Sequence, residues 1–315
     1  MSTRVIGIDI GGTKIAGGIV GPDGQVAHPQ TIPTPATERA PGILRAIVGL
    51  VHDLLDAARR EGVTVSAVGI GTAGQVDHAR GIIIFAGENL PGWTGMPLAD
   101  ELGAALGLPV SVENDVNALA LGEGRFGAGK DFASALYVAV GTGVGGAVVI
   151  DGKLWRGATW TAGEICHLLV DIEGKRRCTC GQYGHLEAYA AGPAMAARYG
   201  ELAGVVGPPC DLRAVAEKAC TGDPLAVEAI AEGARILGLA VGGLLNVIDT
   251  EAVIIGGGVP DLGTLWWEPF EAALRNNANP GPAKVALRRA ELGGQAVLVG
   301  AALLALEEVR GGVLS

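Results

Sequence analysis

Short apolar runs and helical periodicities follow one another along the chain. Residues 5–10 and 15–20 are apolar runs of strand length on either side of a Gly-Gly-Thr turn, and residues 41–60 carry apolar side chains on one helical face. The same pattern predicts strands over residues 25–27, 65–70 and 110–113, a helix over residues 97–106 and a helix that begins at residues 114–115. Because strands and helices alternate, an α/β fold is predicted.

The second half of the chain repeats this plan. Residues 135–150 form a strand, a turn at Gly141-Thr142 and a second strand, which is a weak similarity to the first hairpin. Asp223-Pro224 is the cap-then-proline start of a helix that should run to about residue 247. A strand over residues 251–255, a helix over 263–276, a strand over 284–289 and a helix over 295–309 follow. The repetition places a boundary near residues 119–129.

Composition bounds the size and setting of the protein. At 315 residues, with hydrophobic types at 49%, the chain can bury a core large enough for two domains. Its net charge of −10 gives no electrostatic support for a nucleic-acid or membrane partner. No signal-peptide pattern precedes the first strand, and Cys166, Cys210 and Cys220 suggest no disulfide framework. We therefore expect a cytoplasmic protein.

The segment from residue 162 to residue 187 brings potential metal ligands together. His167 lies eleven residues before Cys178, and His185 lies five residues after Cys180. Imidazole and thiolate are the ligands of tetrahedral zinc, and four of them close the site, so a structural zinc site is predicted. Chance proximity is the alternative, because one residue between the cysteines is not the spacing of common zinc fingers. A disulfide between them is disfavoured, since so short a loop strains the bridge.

Acidic residues stand beside these features. Glu164 and Glu187 flank the metal-ligand segment and could point together at a polyhydroxylated molecule. Asp9 ends a strand next to the Gly-Gly-Thr turn, where a magnesium ion between carboxylate and phosphate would explain it, and a turn aspartate is the alternative. Asp115 could be a simple helix N-cap.

Two glycine patterns resemble nucleotide motifs without fitting them. Residues 124–130 have the spacing of a Walker A loop, but Asp131 replaces the Ser or Thr that would hold magnesium, and the loop follows a helix. Residues 141–146 match G-x-G-x-x-G, but a strand follows instead of the helix that the dinucleotide motif requires. The second turn remains a phosphate-binding candidate through its backbone N–H groups and the Thr142 hydroxyl, and a tight buried turn is the alternative.

Seven motifs occur together in an order that resembles the ROK family of repressors, open reading frames and sugar kinases. They are Asp9-Ile-Gly-Gly-Thr-Lys14, Asn89-Leu-Pro-Gly-Trp93, Glu113-Asn-Asp-Val-Asn117, Gly141-Thr-Gly-Val-Gly-Gly146, Ala162-Gly-Glu-Ile-Cys-His167, Cys178-Thr-Cys-Gly-Gln-Tyr-Gly-His-Leu-Glu187 and Ile255-Gly-Gly-Gly258. The resemblance covers residues 4 to about 309 and is closest to the bacterial ATP-dependent glucokinases within the family.

This resemblance implies an actin-like, ribonuclease H-like two-domain sugar kinase fold with a structural zinc site. The smaller domain would comprise residues 1–118 and a C-terminal helix at about 297–315, and the larger one residues 119–296. It further implies sugar, ATP, Mg²⁺ and Zn²⁺ as ligands, no nucleic-acid or membrane partner, and a homodimer or homotetramer.

The resemblance also implies residue roles. Asp115 would be the general base toward the sugar 6-hydroxyl. The sugar would be held by Gly74, Asn89, Asn114, Asp115, Glu164, His167 and Glu187. The nucleotide would be held by Asp9, Gly11, Gly12, Thr13, Lys14, Gly141, Thr142, Gly143, Gly256, Gly257 and Gly258. Zinc would be held by His167, Cys178, Cys180 and His185, so that His167 serves both zinc and sugar.

Four departures from the family pattern affect these implications. His185 stands where most members have a third cysteine, which predicts a Cys2His2 zinc site. Cys166 replaces a glycine, Trp160 stands where a glycine is common, and Ala73 replaces the proline of a Pro-Gly pair in the sugar-facing loop. Trp160 and Ala73 leave the sugar preference open among glucose, N-acetylmannosamine, N-acetylglucosamine and fructose.

The resemblance suggests three alternative functions, of which a kinase explains the sequence best. An ATP-dependent hexose kinase accounts for the carboxylates, the two turns and the metal ligands together. A sugar-responsive ROK regulator would need an N-terminal DNA-binding segment, for which the sequence before residue 5 leaves no room, and its surface charge would be wrong for DNA. An actin-like ATPase without a sugar substrate would not explain the metal ligands and the glutamates beside them.

Overall fold

The computed structural model describes residues 4–87, 90–205, 207 and 210–311. Its strands are β1 (Arg4–Ile10), β2 (Lys14–Val20), β3 (Val26–Pro33), β4 (Val65–Thr72), β5 (Gln75–Asp77), β6 (Ile82–Phe85), β7 (Val110–Asn114), β8 (Ala135–Val140), β9 (Val144–Ile150), β10 (Lys153–Trp155), β11 (Ala252–Gly256) and β12 (Ala286–Arg289). Its helices are α1 (Arg39–Arg60), α2 (Leu98–Leu106), α3 (Asp115–Phe126), α4 (Glu187–Ala190), α5 (Gly192–Leu202), α6 (Leu212–Cys220), α7 (Pro224–Ile248), α8 (Thr264–Asn277) and α9 (Ala296–Val309). The α/β class predicted from the alternation is confirmed.

The chain forms two compact units. The first comprises Met1–Ala133, Ala147–Ala162 and Ala290–Ser315, and the second comprises Ser134–Gly146 and Gly163–Arg289. The boundary expected between residues 118 and 119 lies inside α3, and the whole of this helix belongs to the first unit. The reason is its packing on α9, where the Ala118 carbonyl lies against Gly300.

A mixed sheet organises the first unit. Its strand order is β3-β2-β1-β4-β7, with β1, β4 and β7 parallel and β2 and β3 antiparallel additions. Ile6, Ile8 and Ile10 of β1 pack against the apolar face of α1. Val5, on the opposite side of the strand, belongs to a second cluster with Val299 and other residues of α9. Burial on both faces explains why β1 is an almost continuous apolar run.

Glycines allow α9 to lie unusually close to its neighbours. A Cβ atom on Gly7 would overlap the carbonyl of Leu298, and one on Gly69 would overlap the carbonyl of Ala301. Gly300, in the middle of α9, has the carbonyl of Ala118 where its own Cβ would be. These positions need glycine because backbone occupies the space of a side chain.

The second unit is built around parallel strands and paired helices. β8, β11 and β12 are parallel, and Ile254 and Ile255 of β11 are fully buried. The long helix α7 begins as predicted, with the Asp223 side chain accepting from the backbone N–H groups of Leu225 and Ala226. It packs against α8, whose Trp266 and Phe270 rings stack at 4.7 Å.

Two short antiparallel pairs complete the strands. β9 and β10 form a hairpin, and β5 and β6 form a small separate sheet. None of the helices within the described ranges is both long enough and apolar enough to span a bilayer.

We predict that Gly300→Ala lowers the free energy of unfolding by about 1–3 kcal/mol, because a methyl group at this position must push α9 away from α3. The matched control is Gly49→Ala in α1, where an added Cβ would meet no atom within 4 Å. That variant should gain up to about 1 kcal/mol, because alanine restricts the unfolded chain. Denaturant unfolding of both variants is the measurement, and equal stability for the two would contradict the packing of α9.

Candidate active site

The carboxyl ends of three parallel strands define one edge of the first sheet. Asp9 of β1 is in register with Gly71 of β4, which is in register with Glu113 of β7. Asn114 ends β7, and Asp115 begins α3 directly after it. The crevice beyond the carboxyl ends of such strands is where open α/β sheets bind ligands.

Gly71 lets the start of α3 approach this edge. A Cβ on Gly71 would contact the Val297 side chain and lie 3.6 Å from the Cα atom of Asp115. Because no side chain fills this position, Asp115 comes close enough for its charge to act on Asp9.

Both carboxyl groups titrate abnormally as a consequence. Burial, followed by the charge of Asp115, raises the pKa of Asp9 to about 7, against the opposing effect of Lys14. Burial also raises the pKa of Asp115, although hydrogen bonds from the Val116 N–H and from Asn114 act in the opposite direction. Two carboxylates that are shielded from water and close together disfavour double ionisation unless a cation or a hydroxyl donor joins them.

The N-cap of α3 is Asn114, so the alternative that Asp115 caps the helix is wrong. The Asn114 Oδ1 atom accepts from the N–H groups of Val116 and Asn117 at 2.9 and 3.0 Å. Its Nδ2 atom donates to the Gly74 carbonyl at 2.9 Å. Asn114 therefore fixes both the helix start and the loop after β4, and it leaves the Asp115 carboxylate for another task.

The first glycine turn lies at the same edge. The Gly11 N–H donates to the Lys14 carbonyl at 3.0 Å, and the Thr34 hydroxyl donates to the Gly11 carbonyl at 2.7 Å. Thr13 and Lys14 are exposed. Gly11, Gly12, Thr13 and Lys14 thus form a braced turn with an accessible cationic side chain near Asp9.

Glu113, for which the sequence predicted no role, is almost fully buried, with 1% of its side chain exposed. It accepts from the N–H of Asn114, the side-chain amide of Asn117 and the guanidinium of Arg156. His78 lies beside it, with Nδ1 3.8 Å from a Glu113 oxygen. The signal that could have identified Glu113 is an ionisable residue at the end of a predicted strand, directly before a predicted helix start.

Two glycine turns lie side by side in the second unit. The turn at Gly141, Thr142 and Gly143 joins β8 to β9 and is closed by a bond from the Gly141 N–H to the Gly143 carbonyl. Gly257 has a φ of +90°, and a Cβ there would overlap the Val140 carbonyl. The turn at Gly256, Gly257 and Gly258 therefore lies against the end of β8, as a paired backbone cradle would require.

The four predicted metal ligands come together in the second unit. One ligand atom from each of His167, Cys178, Cys180 and His185 lies within 4.8 Å of all the others. The Cys180 Sγ atom is 3.3 Å from His185 Nδ1. Ligand atoms of one tetrahedral zinc are roughly 3.3–3.8 Å apart, given the usual Zn–N and Zn–S bond lengths. The donor set and its spacing suit this metal.

His167 has an open ring nitrogen in this cluster. Its Nδ1 atom is buried and has no hydrogen-bond partner among the described residues, while Nε2 lies 3.5 Å from Glu164. Burial and the neighbouring His185 lower the pKa of His167, which favours the neutral ring that metals bind. A buried nitrogen without a partner is costly unless a ligand satisfies it.

Glu187 connects this cluster to the second glycine turn. One carboxylate oxygen accepts from the Val144 N–H at 3.3 Å and lies against Gly143. The other accepts from the Thr179 hydroxyl, between the two cysteines, at 2.5 Å. The sequence indicated a carboxylate beside the metal ligands but not its contact with the turn.

Two further residues that the sequence singled out, Cys166 and Trp160, are described by the structure. Asn89 lies outside the described residues. Cys166 is a buried thiol whose pKa is raised by burial and by Glu164. Trp160 has a φ of 62°, the left-handed region that favours glycine, and its ring meets His78 edge-on.

Comparison with known proteins identifies relatives of this arrangement. The ROK family profile matches residues 5–308. A glucokinase of Streptomyces coelicolor is 38% identical over 96% of this chain and 97% of its own length. An N-acetylmannosamine kinase of Escherichia fergusonii is 34% identical over 96% of this chain and 98% of its own.

A solved structure has the same fold. The ROK family glucokinase from Streptomyces griseus, in complex with glucose and AMPPNP, superposes with a TM-score of 0.84. It is 38% identical, and the match covers 96% of this chain and 99% of that one.

The pair of aspartates predicts a pH-dependent stability. Folded Asp9, with a pKa of about 7, keeps its proton at pH values where an unfolded aspartate, at 3.8, has lost it. Stability should therefore fall as pH rises between these values, because the unfolded state binds fewer protons. Asp9→Asn removes this penalty, so it should stabilise the protein more at about pH 8 than at about pH 5, by about 2–3 kcal/mol.

Chemical denaturation at both pH values measures this difference. Asp53→Asn, at an exposed position of α1, is the control and should change the free energy of unfolding equally at the two pH values. If Asp9→Asn also had equal effects at both, the two aspartates would not share a poorly solvated environment.

Proposed function

Because this chain belongs to the ROK family, we propose that it is an ATP-dependent kinase that phosphorylates a hexose, with glucose as the preferred substrate, at the 6-hydroxyl group. The observation that carries this proposal is the poorly solvated Asp115 carboxylate at the start of α3, beside Asp9 and the braced Gly11–Lys14 turn. Relatives named glucokinase, matched along nearly their whole length, support the same activity.

Asp115 is the general base in this proposal. Its carboxylate takes the proton from the 6-hydroxyl as that oxygen attacks the γ-phosphorus, and the bond from the γ-phosphorus to the bridging oxygen of ADP breaks. A raised pKa suits this task, because the carboxylate is then a stronger proton acceptor near neutral pH. Most of the remaining catalysis comes from positioning and from neutralising phosphate charge.

The glycine turns hold the nucleotide in this proposal. By analogy with the family, we assign the phosphates to Gly11, Gly12 and Thr13 and to Gly141, Thr142 and Gly143, because such turns offer backbone N–H groups and hydroxyls to phosphate oxygens. Lys14 adds a positive charge, and Gly256, Gly257 and Gly258 border the adenosine. Asp9 would hold Mg²⁺, which suits a carboxylate whose charged form is disfavoured without a cation. When bound, this ion neutralises charge on the phosphates.

The sugar is held by polar groups in this proposal. By analogy with the family, we assign its hydroxyls to Gly74, Asn89, Asn114, Glu164, His167 and Glu187. The Asn114 Nδ2 atom already donates one hydrogen bond to the Gly74 carbonyl, and this bond fixes the direction of its second N–H. Carboxylates suit a polyhydroxylated ligand, because they accept from several hydroxyls at once, and an imidazole N–H donates to a hydroxyl oxygen.

A structural zinc ion would be bound by His167, Cys178, Cys180 and His185. The buried Nδ1 atom of His167 and the spacing of the four ligand atoms support it. Zinc would fix the tautomer of His167 and leave its Nε2 atom for a hydrogen bond beside Glu164. These four ligands, joined by the metal, would order the segment that carries Glu164 and Thr179.

N-acetylmannosamine phosphorylation is the second candidate activity. Relatives of 34% identity carry that name, and Trp160 and Ala73 depart from the family pattern near the sugar-facing loops. We further expect an actin-like arrangement, a cytoplasmic location and a homodimer or homotetramer, all by analogy with the family.

Asp115→Asn should lower kcat for glucose about 10²- to 10⁴-fold without lowering stability, because the amide cannot accept the hydroxyl proton but also removes a poorly solvated charge. A coupled ADP-release assay over glucose, fructose, N-acetylglucosamine and N-acetylmannosamine measures this and identifies the preferred sugar. In wild type, kcat/KM should fall as pH is lowered through the raised pKa of Asp115.

The matched control is Asp100→Asn, an exposed aspartate in the first turn of α2. It should retain wild-type kcat. If Asp115→Asn phosphorylated glucose at the wild-type rate, the assignment of the base would be wrong.

Metal analysis of the purified protein should find about one zinc per chain, since four ligands close one site. Cys180→Ser should lose most of this zinc and melt at a lower temperature, whereas Cys220→Ser, at an exposed cysteine on α6, should keep it. Equal zinc contents in the two variants, or no zinc in the wild-type protein, would contradict the assignment of a zinc site.

A further inference from the structure

We propose that Glu113 and Arg156 are positioning residues that hold Asp115 in its reactive orientation. This inference rests on the proposed kinase function and adds two residues to it. Neither residue carries out proton transfer, and both act through the backbone and side chains on either side of Asp115.

Glu113 is built into the start of α3 by hydrogen bonds. Its Oε1 atom accepts from the Asn114 N–H at 2.9 Å and from the Asn117 side-chain amide at 3.0 Å. Asn114 precedes Asp115, and Asn117 lies two residues beyond it on the first turn. One carboxylate oxygen thus fixes the chain on both sides of the proposed base.

Arg156 holds the other oxygen of Glu113. Its Nε atom donates to Glu113 Oε2 at 2.7 Å, and only 11% of the Arg156 side chain is exposed. Arg156 Nη2 is buried with no hydrogen-bond partner in the described part of the chain. Among the described residues, Glu113 is the carboxylate that pairs with this buried guanidinium, and removing either partner would leave an uncompensated charge.

The pair also connects a distant loop to the helix start. Arg156 follows β10, and its carbonyl accepts from the Ala162 N–H at 3.2 Å, which closes the loop over residues 156–162. Without the pair, this loop and the first turn of α3 would be joined by fewer polar contacts. A displacement of about 1 Å at a reacting group costs about 100-fold in rate, so a small movement here would affect catalysis.

Glu123 provides a matched control on the same helix. It is fully buried like Glu113, and it accepts from the N–H groups of Ala128, Glu291 and Leu292. It lies eight residues after Asp115, at the far end of α3. Its loss should weaken the fold without altering the orientation of the first turn.

The experiment compares kcat, KM for glucose and melting temperature in wild type, Glu113→Gln, Arg156→Gln, the double variant and Glu123→Gln. Glu113→Gln should lower kcat about 100-fold and leave KM nearly unchanged, because transition-state geometry is lost rather than sugar binding. The double variant should recover part of kcat, because two facing amides can hydrogen-bond without a buried charge. Glu123→Gln should melt earlier but keep wild-type kcat.

Arg156→Lys tests the same role if Arg156→Gln does not fold, because lysine retains the buried positive charge but not the geometry of the guanidinium group. It should fold and show a kcat between those of wild type and Arg156→Gln. Unchanged kcat in folded Glu113→Gln, or an equal loss of kcat in Glu123→Gln, would overturn the positioning role. A wild-type protein that phosphorylates no sugar in the panel would instead reject the kinase function, and the inference with it.

Discussion

The parallel register of β1, β4 and β7 is the constraint on which the proposed chemistry depends. It aligns Asp9 with Gly71 and delivers Asp115 one residue beyond the end of β7. Glycine at position 71 leaves room for the first turn of α3, so the charges of two buried carboxyl groups act on each other. Burial and mutual repulsion disfavour two ionised carboxylates at this edge. A cation or a proton would relieve this repulsion, so both should bind here more tightly than to an ordinary pair of surface aspartates.

In the second unit, parallel strands again end beside glycine turns and a carboxylate. Parallel β8 and β11 end in glycine turns that touch through Gly257 and Val140, and Glu187 lies against the first of them. Thr179 joins that carboxylate to the segment holding the four potential zinc ligands. A metal there would act on the chemistry indirectly, by ordering Glu187 and His167 rather than by touching the reacting atoms.

Local patterns were enough to predict most elements and several candidate residues. Apolar periodicity identified α1 and α7, and the spacing of His167, Cys178, Cys180 and His185 anticipated a cluster that the fold brings together. The pair of Glu113 and Arg156 could not be predicted, because its members are far apart in sequence and nothing local marks them as partners. The cap of α3 was also ambiguous, since asparagine and aspartate are equally good caps and only the hydrogen bonds of Asn114 distinguish them. The close approach of α9 similarly depends on carbonyl groups from distant segments.

The central claim is that Asp9 and Asp115 share one poorly solvated environment at this edge. Its most direct test is a ¹³C NMR titration of the aspartate side-chain carboxyl groups, with Asp9 assigned through Asp9→Asn and followed in wild type and in Asp115→Asn. We predict that Asp9 titrates with a pKa of about 7 in wild type and at a lower value once the charge of residue 115 is removed. An Asp9 that titrates near 3.8 in both proteins would contradict the account.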